Sequence, residues 1–217
     1  MIKLIIFDLD GTLFDTAPGI RRAVNRLMAE RGHAPLSDAL IDSFIGYGIV
    51  PLVKQLNDST QNSLGPTDQV VADFRRNYKA TFLDDTQPFP GVVEFLSHWP
   101  HEIAVVSNKH DDYIHELIGR SPLSRFHWRH VCGGNTHVRP KPYALPLYVA
   151  MRAANAQPEQ TLMIGDGLPD IWAARNAGTY SLAVEFGYTS ITDLINAGAH
   201  ARLANYSELS KVIQIFD

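Results

Sequence analysis

The sequence predicts an α/β protein in which a doubly wound, mostly parallel sheet is interrupted by an inserted all-helical block. Three observations carry that prediction. Short, continuous apolar runs recur at 2–7, 103–107, 162–165 and 180–184, as expected of parallel strands covered on both faces. Segments of helical periodicity separate most of them, the alternation that builds such a sheet. One long stretch, 15–86, is helical in pattern throughout and contains nothing that reads as a strand.

Taken in order, the first strand spans 2–7, where five of six residues are apolar. Helical patterns follow at 18–32, 37–45, 49–57 and 68–83, with the polar segment DSTQNSLGP at 58–66 as a loop. The chain re-enters the sheet after PFPG at 88–91, a turn signal. A helix is then predicted at 92–98, a strand at 103–107 and a helix at 111–119. A short strand closes at Val131, ahead of Cys132-Gly133-Gly134. Helices at 143–155, 168–178 and 190–197 alternate with strands at 162–165, 180–184 and 201–204, and a last helix starts at Ser207. The division expected is a core of 1–14 and 87–217 with a helical cap of 15–86. No internal repeat or low-complexity segment interrupts it.

Composition narrows the function classes. The chain has 217 residues, 45% hydrophobic and 19% charged, with a formal net charge of −4. Without a basic run, neither nucleic acid nor an acidic membrane surface is an expected partner. No apolar run approaches the ~20 residues that span a bilayer, and the first residues lack a cationic leader pattern. The lone cysteine, Cys132, excludes an intramolecular disulfide and fits a reducing compartment. A cytoplasmic protein, monomeric or homodimeric, is expected.

The polar residues at the strand ends carry the chemistry. Ligands of an open α/β sheet bind beyond the carboxyl ends of its strands. The first strand ends in Asp8 and Asp10, followed by Gly11 and Thr12. The second ends in Ser107-Asn108-Lys109, the third in Gly165-Asp166-Gly167-Leu168-Pro169-Asp170, and Lys141 stands between two prolines. Two ionised carboxylates ~4 Å apart repel by roughly 4 kcal/mol at an effective dielectric of ~20, so the pair needs a cation or a use for the repulsion. Asp8, Asp10, Asp166 and Asp170 bring four negative charges and Lys141 returns one. A divalent cation leaves −1, and one protonated aspartate brings the count to zero. An oxygen-only donor set favours Mg²⁺. A carboxylate nucleophile, a hard cation and a lysine suit attack on phosphorus, and so a small phosphate ester as substrate. Ser107 and Asn108 stand where they can hold phosphoryl oxygens; Gly11 permits the turn and Thr12 can hydrogen-bond within it.

FDLDGTLFD, VVSNK, RPKP and GDGLPD occur in that order and resemble the four motifs of the haloacid dehalogenase-like hydrolases. The helical insert after the first motif is similar to that superfamily's alpha-helical cap. The resemblance implies a Rossmann-like core, an aspartyl-phosphate intermediate and Mg²⁺. It implies Asp8 as nucleophile, Asp10 as acid and base with its main-chain carbonyl on the metal, and Asp166 as a direct ligand. Asp170 would act through waters and fix Lys141, while Ser107, Asn108, Gly11 and Thr12 surround the phosphate. Aspartate at position 10 favours phosphoryl transfer over dehalogenation. FDLDGTLFDTAP, FIGYG, the Gly-Gly before RPKP and EFGY resemble phosphoglycolate phosphatases and relatives such as pyrophosphatases. KPYALPL, GDG and RFHWRH at 125–130 depart from that subgroup. A hexose phosphomutase and a non-catalytic binding protein are the rival readings.

Tyr47, in Gly46-Tyr47-Gly48 between two cap helices, is expected to enter the site on closure and sort substrates. Lys109 reads equally as a solvated charge or a substrate contact. The histidine pairs His98/His101 and His127/His130 lack a cysteine partner and read as surface residues. Cys132 reads as a small buried apolar group, and Trp99, Trp128 and Trp172 as packing residues.

Overall fold

The computed structural model describes residues 1–61 and 63–216. Its elements in chain order are β1 (Leu4–Phe7), β2 (Phe14–Asp15), α1 (Ala17–Glu30), α2 (Asp38–Asp42), α3 (Ile49–Ser59), α4 (Thr67–Lys79) and β3 (Gln87–Pro88). There follow α5 (Val92–His98), β4 (Glu102–Val106), α6 (Asp111–Gly119), β5 (Trp128–Cys132), α7 (Leu145–Ala154) and β6 (Thr161–Gly165). The chain closes with α8 (Leu168–Ala177), β7 (Tyr180–Val184), α9 (Ile191–Asn196), β8 (Ala201–Leu203) and α10 (Leu209–Ile213). The predicted loop at 58–66 includes Asn62, which lies outside the described residues, as does Asp217 at the end of the predicted core.

Six strands form one sheet in the order β5-β4-β1-β6-β7-β8. Every neighbouring pair is parallel. β1 sits at the centre, and its alternating side chains serve two layers. Ile5 and Phe7 join a core with residues of α5, α6 and α10, whereas Leu4 and Ile6 join one with α7 and α8. This is why β1 has no polar residue to mark a solvent face. Register brings Phe7 opposite Val105 of β4 and Ile164 of β6. The residues after these three positions therefore emerge side by side at one sheet edge.

Helices α1–α4 lie between β2 and β3. Arg31 reaches Asp73 of α4 at 2.5 Å, and Arg76 pairs with Asp73 and with Glu30 of α1. Beneath these pairs, Val24, Leu27, Val53, Val70 and Phe74 are buried together.

Three details differ from the sequence expectation. Phe14 and Asp15 pair antiparallel with Pro88 and Gln87, a two-stranded ribbon where no strand was predicted. Two residues per strand leave no periodicity to detect. The helix expected at 68–83 stops at Lys79, where the Thr81 hydroxyl bonds back to Asn77 O and Gly19 O. The one expected from 143 begins at Leu145, with Pro146 in its first turn. Among the described residues no helix is long and apolar enough to cross a membrane.

Candidate active site

The site is assembled at the carboxyl edge of the sheet, beyond β1, β4 and β6. Asp8, Asp10, Ser107, Asn108, Lys141, Asp166 and Asp170 are all buried. Carboxylate oxygens of Asp8, Asp166 and Asp170 lie within 4.8 Å of one another. Lys141 Nζ stands between two of them, 2.9 Å from Asp8 Oδ1 and 2.5 Å from Asp170 Oδ1. The first contact lacks hydrogen-bond alignment, so Asp8 Oδ1 is a buried oxygen without a hydrogen-bond partner among the described residues. Asp170 Oδ2 accepts from Gly167 N at 2.9 Å, which fixes its carboxylate at the start of α8.

Asp166 is oriented from both sides. Thr12 Oγ1 donates to its Oδ1 at 3.1 Å, and Tyr188 N donates to its Oδ2 at 2.9 Å. The Thr12 hydroxyl thus orients a carboxylate. Gly11 has φ +74°, and a Cβ there would stand 2.2 Å from Asp166 Oδ2. The position demands glycine both for its backbone conformation and for the close approach. Burial, reinforced by Asp8 and Asp170, holds the Asp166 carboxyl well above the ordinary range. Burial also pushes Asp170 up to about 7, with Lys141 opposing. Lys141 offsets only one of the three charges, and these oxygen-only donors, with Asp8 Oδ1 lacking an aligned hydrogen bond, fit a hard divalent cation.

Asp10 belongs to a separate hydrogen-bond set. Its Oδ1 accepts from Thr16 Oγ1 at 2.6 Å and from Lys109 Nζ at 2.8 Å. Lys109 is only 6% exposed, so it is not a solvated charge, and it lines the site beside Asp8 and Asp10. Its ammonium also donates to Tyr78 Oη of α4 at 2.6 Å. Burial disfavours the ammonium, yet Asp10 and Tyr78 outweigh it and the lysine stays charged above its usual range. The charge count changes accordingly. Four ionised carboxylates and the two ammonium groups of Lys109 and Lys141 sum to −2, the charge one divalent cation balances before a phosphate ester and its proton enter.

Ser107 N donates to Cys132 O at 3.1 Å, and its hydroxyl accepts from Lys109 N at 3.3 Å. Asn108 Nδ2 donates to Lys141 O and to Gly46 O, both at 3.0 Å. The second bond, with Lys109–Tyr78, ties the helical block to the sheet edge. Together they enclose a cavity of about 40 Å³ bounded by Asp8, Asp10, Ser107 and Lys109 below and by Ile45, Leu52 and Phe74 above. Tyr47 does not line it. At 36% exposed, it stands on an outer groove with Arg75, His110 and Pro140. Burial first, then the charge of Asp170, raises its hydroxyl pKa.

Tyr188 was not singled out from the sequence beyond its place in EFGY. Its hydroxyl accepts from Thr16 N and Ala17 N at 2.8 and 3.0 Å, capping α1, and donates to Asp15 at 3.0 Å. One residue thereby links the first cap helix to Asp166. The histidine pairing also differs: His130 meets His137 and Cys132, and not His127. His137 is seven residues on, reached through a turn that spacing does not reveal.

Fold and site together define a hydrolase built on a doubly wound sheet. Residues 5–184 match the family model of the haloacid dehalogenase-like hydrolases, and the chain belongs to that family. It is 33% identical to phosphoglycolate phosphatase of Nitrosospira multiformis over 98% of this chain and 96% of that protein. It is 32% identical to phosphoglycolate phosphatase of Chromobacterium violaceum over 96% and 95%. Among solved structures, a haloacid dehalogenase-like family protein of Streptococcus pneumoniae superposes with a TM-score of 0.86 at 24% identity, covering 98% of this chain and 99% of that one.

Proposed function

We propose that this hydrolase is a Mg²⁺-dependent phosphatase that cleaves a small phosphate monoester, phosphoglycolate or a close analogue, through an aspartyl-phosphate. The observation that carries the reading is the placement of Lys141 between Asp8 and Asp170, beside three mutually close carboxylates. The full-length match to phosphoglycolate phosphatases supports the substrate class.

Asp8 and Asp166 would hold Mg²⁺, with the Asp10 main-chain carbonyl and, through waters, Asp170. Bound there, the cation supplies charge neutralisation for the phosphoryl oxygens. An oxygen of Asp8 attacks phosphorus, forming the acyl phosphate while the ester oxygen leaves. Asp10 gives that oxygen its proton, then takes one from the water that attacks the acyl phosphate and returns Asp8. Lys141 balances charge on the transferring group, and the Ser107 hydroxyl and the Asn108 backbone N–H hold its oxygens. Residues 15–86 act as a lid. Asn108–Gly46 and Lys109–Tyr78 bridge the narrow cavity, so substrate enters when these bonds open and water is restricted when they re-form.

The test is phosphate release over a panel of phosphoglycolate, pyrophosphate, sugar phosphates and nucleotides, with Mg²⁺ or EDTA. Mg²⁺-dependent release favouring phosphoglycolate is expected, and Asp8→Asn should abolish it while the circular dichroism spectrum stays that of the wild type. Release unchanged in that variant removes Asp8 from the nucleophile role. Transfer of phosphate between sugar positions without free phosphate would make the protein a mutase.

A further inference from the structure

A second set of potential ligands stands beside the Ser107-Asn108-Lys109 segment, with chemistry opposite to that of the carboxylates. His130 and Cys132 are two apart on β5, so their side chains emerge on the same face of the strand. The turn after β5 is closed by Gly133 N to Thr136 Oγ1 at 2.9 Å and Thr136 N to Gly133 O at 3.1 Å. Asp111 holds that hydroxyl in turn at 2.7 Å. The turn brings His137 back over the strand. One ligand atom from each of His130, Cys132 and His137 lies within 4.8 Å of the others. The two imidazole rings stack with centroids 6.4 Å apart.

Packing alone does not account for this arrangement. Nε2 of His130 and Nε2 of His137 are both buried, and neither has a hydrogen-bond partner among the described residues. Each such orphan is destabilising, and two occur side by side next to a thiol.

We propose that His130, Cys132 and His137 form a binding site for Zn²⁺, separate from the carboxylate site. Two imidazole nitrogens and a thiolate are a borderline-soft donor set, which selects Zn²⁺ and offers little to Mg²⁺. Tetrahedral Zn²⁺ bonded at its usual distances holds its ligand atoms about 3.5 Å apart, so closing the site takes a contraction of about 1 Å. His137, on a turn, can supply that by side-chain rotation. Three protein ligands leave the fourth position to water, and binding displaces the thiol proton to solvent. Ser107 N is bonded to the Cys132 carbonyl, so the ion would stand on the strand next to Ser107.

Co²⁺ titration of the full-length protein in excess Mg²⁺ tests the proposal, because only a thiolate ligand gives a sulfur-to-cobalt charge-transfer band. One equivalent of Co²⁺ should produce that band together with tetrahedral visible bands, and Zn²⁺ should bleach both. Cys132→Ser should remove the charge-transfer band, and Asp166→Asn should keep it. His137→Gln, a change on a turn, should weaken Zn²⁺ binding by at least the roughly tenfold that even an outer-shell change costs, with Mg²⁺-supported activity unchanged. The proposal fails if wild type gives no charge-transfer band. It also fails if His137→Gln binds Zn²⁺ as wild type does, or if the band disappears in Asp166→Asn.

Discussion

At the scale of single residues, the site is organised around carboxylates whose partners decide what each can do. Asp166 is held by Thr12 Oγ1 and Tyr188 N. Replacing that hydroxyl with a methyl, Thr12→Val, keeps the shape and loses one orienting bond. The Mg²⁺ concentration for half-maximal activity should rise about 10- to 100-fold, as for other outer-shell losses. An unchanged Mg²⁺ requirement would show that Tyr188 N alone orients the carboxylate. Asp10 leans instead on Lys109 and Thr16. Lys109→Met strands a buried carboxylate, and breaking such a pair costs about 3–5 kcal/mol. Urea denaturation should show the loss, and an unshifted midpoint would mean the pair adds nothing to stability. Four motifs at the strand ends made the aspartates legible in the sequence. Lys109 was ambiguous there because its partner Tyr78 lies thirty-one residues away on another element.

At the scale of elements, the helical block meets the sheet edge through few polar bonds. Lys109 Nζ to Tyr78 Oη is one of them. Burial, against the opposing effect of Lys109, pushes the Tyr78 hydroxyl up to about 12, so it accepts as a neutral phenol. Its ring packs among Phe74, Phe82 and Tyr113. Tyr78→Phe therefore keeps the packing and removes the bond. A hydrogen bond to a charged group is worth about 1.5–3 kcal/mol, so KM should rise about tenfold or more through loss of the closed population. Steady-state kinetics separates this from a pure kcat effect, and an unaltered KM would rule out the bond as a latch. The helices were legible because each keeps its period for several residues, and the central strands because each is a continuous apolar run. The β2–β3 ribbon was not, because two residues per strand have no period. The His130–Cys132–His137 set was hidden for a related reason, since a turn and not a spacing brings the third side chain home.

At the scale of the whole molecule, the buried carboxylates make stability depend on pH and, under the proposed function, on Mg²⁺. Asp170 is pushed from 3.8 up to about 7, and Asp166 is raised as well. Across that interval the metal-free folded protein binds more protons than the unfolded chain. Its stability therefore falls as pH rises from about 4 to about 7. Mg²⁺ offsets the same charge and should stabilise most where the carboxylates are ionised. By differential scanning fluorimetry, the gain on adding Mg²⁺ to EDTA-treated protein should be larger at about pH 8 than at about pH 5. An equal gain at both would place the ion elsewhere. The ribbon has a consequence on this scale too. It joins Phe14 to Pro88 and Asp15 to Gln87, so everything between is spliced into two points that are already adjacent. Each doubling of such a splice costs only about 0.6 kcal/mol in closure entropy. A lineage can thus lengthen, trim or exchange the inserted helices while Asp8 and its neighbours are inherited untouched, and the two parts of the chain are free to evolve at different speeds.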